Sequence, residues 1–178
     1  MLIYFNWTET HNGIAYHKTT SMKIKRIFFN AVIIFIGIGL FFLLMEALNL
    51  SHIIYLRLVN FVFVIYGVNR TIRSNFKDGI NGYFTNLGSA FLTAFISLIL
   101  SVLSFTIYAE YMGGVEYLRK YASDYIIGGG DPSPPQFAIG LFIQGLAASA
   151  IVSFSLMQFW KDKVEKINTV DDRQHNPH

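Results

Sequence analysis

The sequence predicts an all-α polytopic membrane protein, with four transmembrane helices in an antiparallel bundle and both termini cytoplasmic. Three observations predict it. The 178-residue chain is 53% hydrophobic and only 14% charged, about half the charged share of a soluble domain. The missing charges are missing from long runs. The basic residues that remain flank those runs unequally. Disorder is excluded, because it needs few apolar residues and high charge.

The elements follow in chain order. Ile27 to Met45 is uncharged, with FFNAVIIFIGIGLFFLLM at its heart, and its 19 residues suffice to cross a hydrocarbon core. The first helix is expected over about 27–48. A short link around Leu48–Leu50 then forces a hairpin, with Ser51 as N-cap of a second helix over 51–69. That run holds a single charge, Arg57. Beyond it, Arg70, Arg73 and Lys77 share one helical face, and Ile72, Phe76, Ile80 and Tyr83 another. This is either an interfacial amphipathic turn or a cytoplasmic extension of the second helix. Asp78-Gly79 and Asn81-Gly82 break the chain before a third helix over 87–108. In the external loop 110–135, Tyr117, Tyr121 and Tyr125 recur every four residues. A short surface helix there sets the rings at headgroup depth. Pro132, Pro134 and Pro135 lead into a fourth helix over 136–160, since a helix's first turn has no use for the missing N–H groups. Runs of this length without alternation do not fit β-barrel strands.

Charge orients the bundle. With residues 1–26, the loop 69–86 and residues 161–178 in the cytoplasm, that side holds Lys18, Lys23, Lys25, Arg26, Arg70, Arg73, Lys77, Lys161, Lys163, Lys166 and Arg173. Those are eleven of the fourteen basic residues. The other side receives Arg57, Arg119 and Lys120 against five acidic residues. The positive-inside rule therefore sets both termini in the cytoplasm, which an even number of spans also requires. Basic residues gathered at span ends point to a lipid bilayer as partner, and away from nucleic acid.

At the N-terminus, Met22 offers a second start, followed by the basic flank of MKIKRIFFNAV. One reading takes translation from there, with residues 1–21 as an upstream extension. The first apolar run is longer than the 7–15 residues usual in a signal peptide, so an uncleaved helix is expected.

No cofactor is expected. Without cysteine there is no thiolate metal site or iron–sulfur cluster. Of the histidines, His11, His17, His175 and His178 lie in the tails and His52 begins an apolar run, so no pair is placed to ligate haem. The triple glycine at 128–130 lacks the lysine of a P-loop. Ser97, Ser101 and Ser104 have neither histidine nor buried carboxylate nearby for nucleophilic catalysis. No catalytic or metal residue is assigned, and no enzymatic activity is expected.

Two constellations remain. Arg57 is the one ionisable group inside a run, and such groups are functional candidates by default. With Asn60, Glu46, Glu110 and Gln144 it forms a candidate polar cluster in the outer half of the bundle. Its bland reading is an ion pair of Arg57 with Glu46; its sharper one is a ligand or ion site. Ala90, Ala94, Ser97, Ser101 and Ser104 form a small-residue seam on the third helix, and Gly145, Ala148 and Ser149 another on the fourth. In lipid such seams mark helix contacts, either inside the bundle or with another subunit or copy.

The short first hairpin, the passage RTIRSNFKDGINGYFTNLGSAFLTAFISLILSVLSFTIYAEYM (Arg70–Met112), the tyrosines at 117–125 and a last helix ending in FSLMQFWKDK resemble a family of uncharacterised bacterial four-span membrane proteins. The resemblance covers about residues 22–166. It implies the bacterial cytoplasmic (inner) membrane and transfers no activity. The function expected is that of an accessory, scaffold or assembly subunit acting through helix–helix contacts. The alternative is a small transporter or ligand-binding protein using the cluster around Arg57.

Overall fold

Helices account for nearly all of the computed structural model, which describes residues 23–50, 53–122 and 133–164; among these no residue lies in a strand. The elements are α1 (Ile24–Ala47), a 3₁₀ segment (Ile54–Val59) running into α2 (Asn60–Lys77), α3 (Tyr83–Tyr111), α4 (Val115–Ala122) and α5 (Pro134–Val164). Three of them, α1, α3 and α5, are long and apolar enough to cross a bilayer. α2 is not in that group, because Arg70, Arg73 and Lys77 fall within its 18 residues. The expected cap at Ser51, Met22, the tails up to 22 and from 165, Tyr125 and the glycine run at 128–130 lie outside the described residues.

The helix stops are local chemistry. After α1, Asn49 takes a left-handed φ of 54°, and the amides of Leu50 and Asn49 donate to the carbonyls of Met45 and Glu46 at 2.8 and 3.1 Å. This is a Schellman cap with asparagine in the glycine position. The same pair of bonds closes α2 through Gly79 and α3 through Gly113, with φ of 70° and 118°. α5 opens with one half of a capping box. The Gln136 side-chain oxygen accepts from the Ser133 amide at 3.0 Å and its hydroxyl at 3.1 Å, while Pro134 and Pro135 sit where no N–H is needed.

α2 continues to Lys77 as one helix, so of the two readings of the segment after 69 the extension of the second helix is the one found. Arginine and lysine are good helix formers, so the loss of apolarity after Val68 does not interrupt the backbone. Likewise α3 starts four residues before, and α5 ends four residues after, the apolar runs they contain.

Large side chains seat on glycines of the facing helix. Ile34 of α1 lies against Gly67 of α2, Phe63 of α2 against Gly37 of α1, and Leu98 of α3 against Gly145 of α5. α3 packs against α1, α2 and α5, and α2 packs against α1 and α5. Two apolar clusters result. The larger gathers Ile34, Val68, Ile72, Ala90, Ala94, Val152, Met157 and Trp160. The smaller joins Ala109, Tyr117, Leu118 and Phe137. The short helix expected in the tyrosine-rich segment forms as α4, and within it Tyr117 is only 7% exposed. Its ring meets Tyr108 edge-on at 5.8 Å. α4 folds back on α3, and its apolar face, led by the fully buried Leu118, packs there.

Candidate functional site

The contacts define two ends. At one, Lys23 and Arg26 of α1 meet Asp78 after α2, and the Gly82 amide donates to the last carbonyl of α5, Val164, at 3.1 Å. At the other, Phe105 of α3 meets Phe137 of α5, with ring centroids 5.8 Å apart.

The candidate cluster around Arg57 lies toward the Phe105–Phe137 end. Arg57 stands half-buried in the 3₁₀ segment and Glu46 half-buried near the end of α1, and each is engaged in an interaction. The Asn60 side-chain oxygen is buried without a hydrogen-bond partner. Glu110 is exposed at the end of α3, where it lines an open cleft of about 490 Å³ with Gly113, Gly114, Glu116, Arg119 and Pro134. Gln144 is exposed on α5. In the seam, Ala90, Ala94 and Ser97 are buried, Ser101 is half-buried and Ser104 is exposed. On α5, Gly145 and Ala148 are half-buried, and the buried Ser149 donates back to the Gly145 carbonyl at 2.7 Å.

The best-connected polar groups lie in the opposite half and link three helices. The Asn30 amide on α1 donates to Thr71 Oγ1 on α2 at 2.9 Å. Thr71 Oγ1 lies 3.1 Å from Thr93 Oγ1 on α3, and Thr93 donates to the Ser89 carbonyl at 2.7 Å. Asn30, Thr71 and Thr93 are each at most 1% exposed. The fourth long helix is tied in by Trp160, whose indole N–H donates to Asn69 Oδ1 at 2.8 Å. Next to the turn, Asn86 donates to the carbonyls of Ile80 and Gly82, both at 3.0 Å. Arg26 donates to Asn75 Oδ1 at 3.4 Å. Asn75 Nδ2 and Asn86 Oδ1 are buried without a partner.

The sequence did carry a signal for this layer. Asn86, Ser89, Thr93 and Ser97 recur at steps of 3, 4 and 4, and Thr71 and Asn75 at 4, the spacing of a single helical face. Chemically the layer is neutral. It supplies donors and acceptors that hold helices together and no base or nucleophile. Among the described residues there is no group of three histidine or acidic side chains able to hold a metal ion.

Charge at this end is concentrated on Asp78. Hydrogen bonds from Lys23, at 2.7 Å, and from Arg26 hold its carboxyl below the usual carboxylate range. A depressed pKa stabilises the folded state above the unfolded value, near 3.8, and the contribution disappears as pH falls through the lower folded value. Asp78 is exposed, so solvent screens the pair and its effect is small. In melting curves of the purified chain, wild type is expected to exceed Asp78→Asn by a small margin that is constant above pH 5. The margin closes below pH 4. A margin that persisted unchanged at pH 3 would show that the carboxylate charge is not its source.

No protein-family model matches the chain, and neither the curated proteins nor the solved structures contain a match.

Proposed function

We propose that the protein is a four-span integral membrane protein, with α2 and its 3₁₀ segment as the fourth span and both termini cytoplasmic. It acts as an accessory or assembly subunit through helix–helix contacts. One observation carries this reading: the buried Asn30, Thr71 and Thr93 join three helices, while the exterior of α1, α3 and α5 is largely apolar. Phe28, Phe29, Leu40 and Leu43 on α1, Leu103 and Ile107 on α3, and Ile139, Ile151 and Phe154 on α5 are all about half exposed or more. An apolar exterior of this kind suits lipid or another membrane helix, and hydrogen-bonded polar groups between helices are what holds a bundle together in lipid. A second reading, a small ligand held at the outer end, is favoured by Asn60 Oδ1, buried and unpaired beside the Arg57 segment.

The chain has no cysteine, so single cysteines report position without background. On intact cells stripped of their wall, an impermeant maleimide is expected to label Glu116→Cys and to spare Asn81→Cys until the membrane is opened. With the N-terminus cytoplasmic, which sparing of Lys25→Cys on intact cells checks, the reverse pattern belongs to a chain that crosses only with α1, α3 and α5. Affinity purification of the tagged chain from gently solubilised native membranes is then expected to yield a stoichiometric membrane subunit. A chain that purifies alone, together with a deletion defect rescued by one added solute, favours the ligand reading.

A further inference from the structure

We propose that the face where α1 and α2 meet near Asp78 binds the headgroup phosphate of an anionic phospholipid. Arg70 and Arg73 are the main ligands, with Lys25 and Lys77 beside them. The proposal rests on the membrane placement argued above and adds to it a ligand and a site.

The observations are depth, pairing and surroundings. Arg70, Arg73 and Lys77 are exposed and spaced by three and four residues, so they form one stripe on α2. Their depth follows from their neighbours. Asn69 is bonded to Trp160 of α5 and Thr71 to Asn30 of α1, so Arg70 lies level with Trp160 and with the uncharged run that begins at Ile27. It is about 10 Å below the end of α2 at 1.5 Å per residue. The headgroup region on one side of a bilayer is only about 5–7 Å thick. Arg70 is therefore held at the boundary of the hydrocarbon, where its guanidinium lies over the Phe29 ring at 5.8 Å.

No carboxylate among the described residues pairs with this stripe. Among the described residues the ion pairs found at this end both go to Asp78, from Lys23 and Arg26. An arginine at lipid depth with no carboxylate takes its counter-charge from its surroundings. There the anion is a phosphodiester, which the guanidinium fork fits in a bidentate manner. Phe28 and Phe29, each more than half exposed, supply the apolar wall against which the acyl chains of the same lipid lie. The basic end of α5 differs. Lys163 lies 4.8 Å from the ring centroids of both Phe159 and Trp160, so part of its charge is already answered by the ring faces.

The test uses the full chain in mild detergent, with phosphatidylglycerol and phosphatidylcholine of identical acyl chains, and reads retained lipid by native mass spectrometry. Wild type is expected to retain phosphatidylglycerol in preference. Arg70→Gln/Arg73→Gln is expected to lose that preference by about tenfold or more, since each cation near an anionic surface contributes about fivefold. Lys161→Gln/Lys163→Gln, which removes equal charge from α5, is expected to keep most of it. Equal losses in the two variants would mean a diffuse basic collar and overturn the site. Displacement by millimolar inorganic phosphate would identify a free-phosphate site and overturn the lipid. A cooperative melt for each variant shows that the comparison is between folded proteins. Release of wild type from membranes by alkaline carbonate would sink the membrane reading and this proposal together. Firm retention without lipid preference would sink this proposal alone.

Discussion

Gly67→Leu is expected to destabilise the bundle by about 3 kcal/mol, the upper part of the usual range for overpacking a filled interior. A Cβ at position 67 already overlaps Ile34 Cγ1 and comes within 3.4 Å of the Asn30 carbonyl oxygen. Ile34 is 1% exposed and has nowhere to turn, so α1 and α2 must separate. That separation also breaks the Asn30–Thr71 bond one turn away. Gly67→Ala carries a smaller penalty, partly offset by the better helix propensity of alanine. The control is Gly39→Leu on α1, where nothing lies within 4 Å of an added Cβ, and it is expected to be near neutral. Melting in mild detergent reads the difference as a drop of roughly 6–12 °C for Gly67→Leu. Equal melting of the two leucine variants would mean that α1 and α2 are not in contact at this point.

The second large effect lies in the Asn30–Thr71–Thr93 layer. Thr71→Val keeps the shape of the side chain but removes the acceptor for the Asn30 amide and the neighbour of Thr93. An orphaned buried donor costs about 1–3 kcal/mol in water-soluble proteins. Bonds between helices in membranes average about 0.6 kcal/mol and reach about 1.7, because the unfolded helices find other partners there. For Thr71→Val about 1–2 kcal/mol is expected, since the partner stays behind and remains buried. Asn30→Leu/Thr71→Val is expected to cost less than the sum of its single changes, because the double variant leaves no orphan. Unfolding by graded sodium dodecyl sulfate in mixed micelles measures the cycle. Strict additivity would mean that the two side chains do not act on each other.

Much of the fold is legible in single residues. Gly79, Gly113, and Ser133 with Gln136 announce helix ends, because each works within one turn of chain. The length and apolarity of α1, α3 and α5 are equally plain in the sequence. Two things resist that kind of reading. The first is the choice between an interfacial turn and an extension of α2 after Val68, because hydropathy and secondary structure part company there. The second is azimuth. Counting residues gives depth along a helix, and depth alone grouped Arg57, Asn60, Glu46, Glu110 and Gln144. Rotation about the axis depends on which helices face one another. The half of the bundle where Asn30, Thr71 and Thr93 meet needs three rotations at once, and each of these residues alone looks like a tolerated polar interruption.

The odd composition of α2 bears on how the chain enters a bilayer during synthesis. On the proposed topology, a helix with three cations in its last eight residues is a poor candidate to partition by itself. Its immediate predecessor supplies what it lacks. The cap at Asn49 turns the chain back within a few residues, and α1 presents Asn30 to Thr71 and Ile34 to Gly67 before any later helix has left the ribosome. On that topology α1 and α2 are expected to leave the translocon as one hairpin. α3 follows into contacts with both. α5 comes last, onto partners already assembled, and its final carbonyl meets the waiting Gly82 amide.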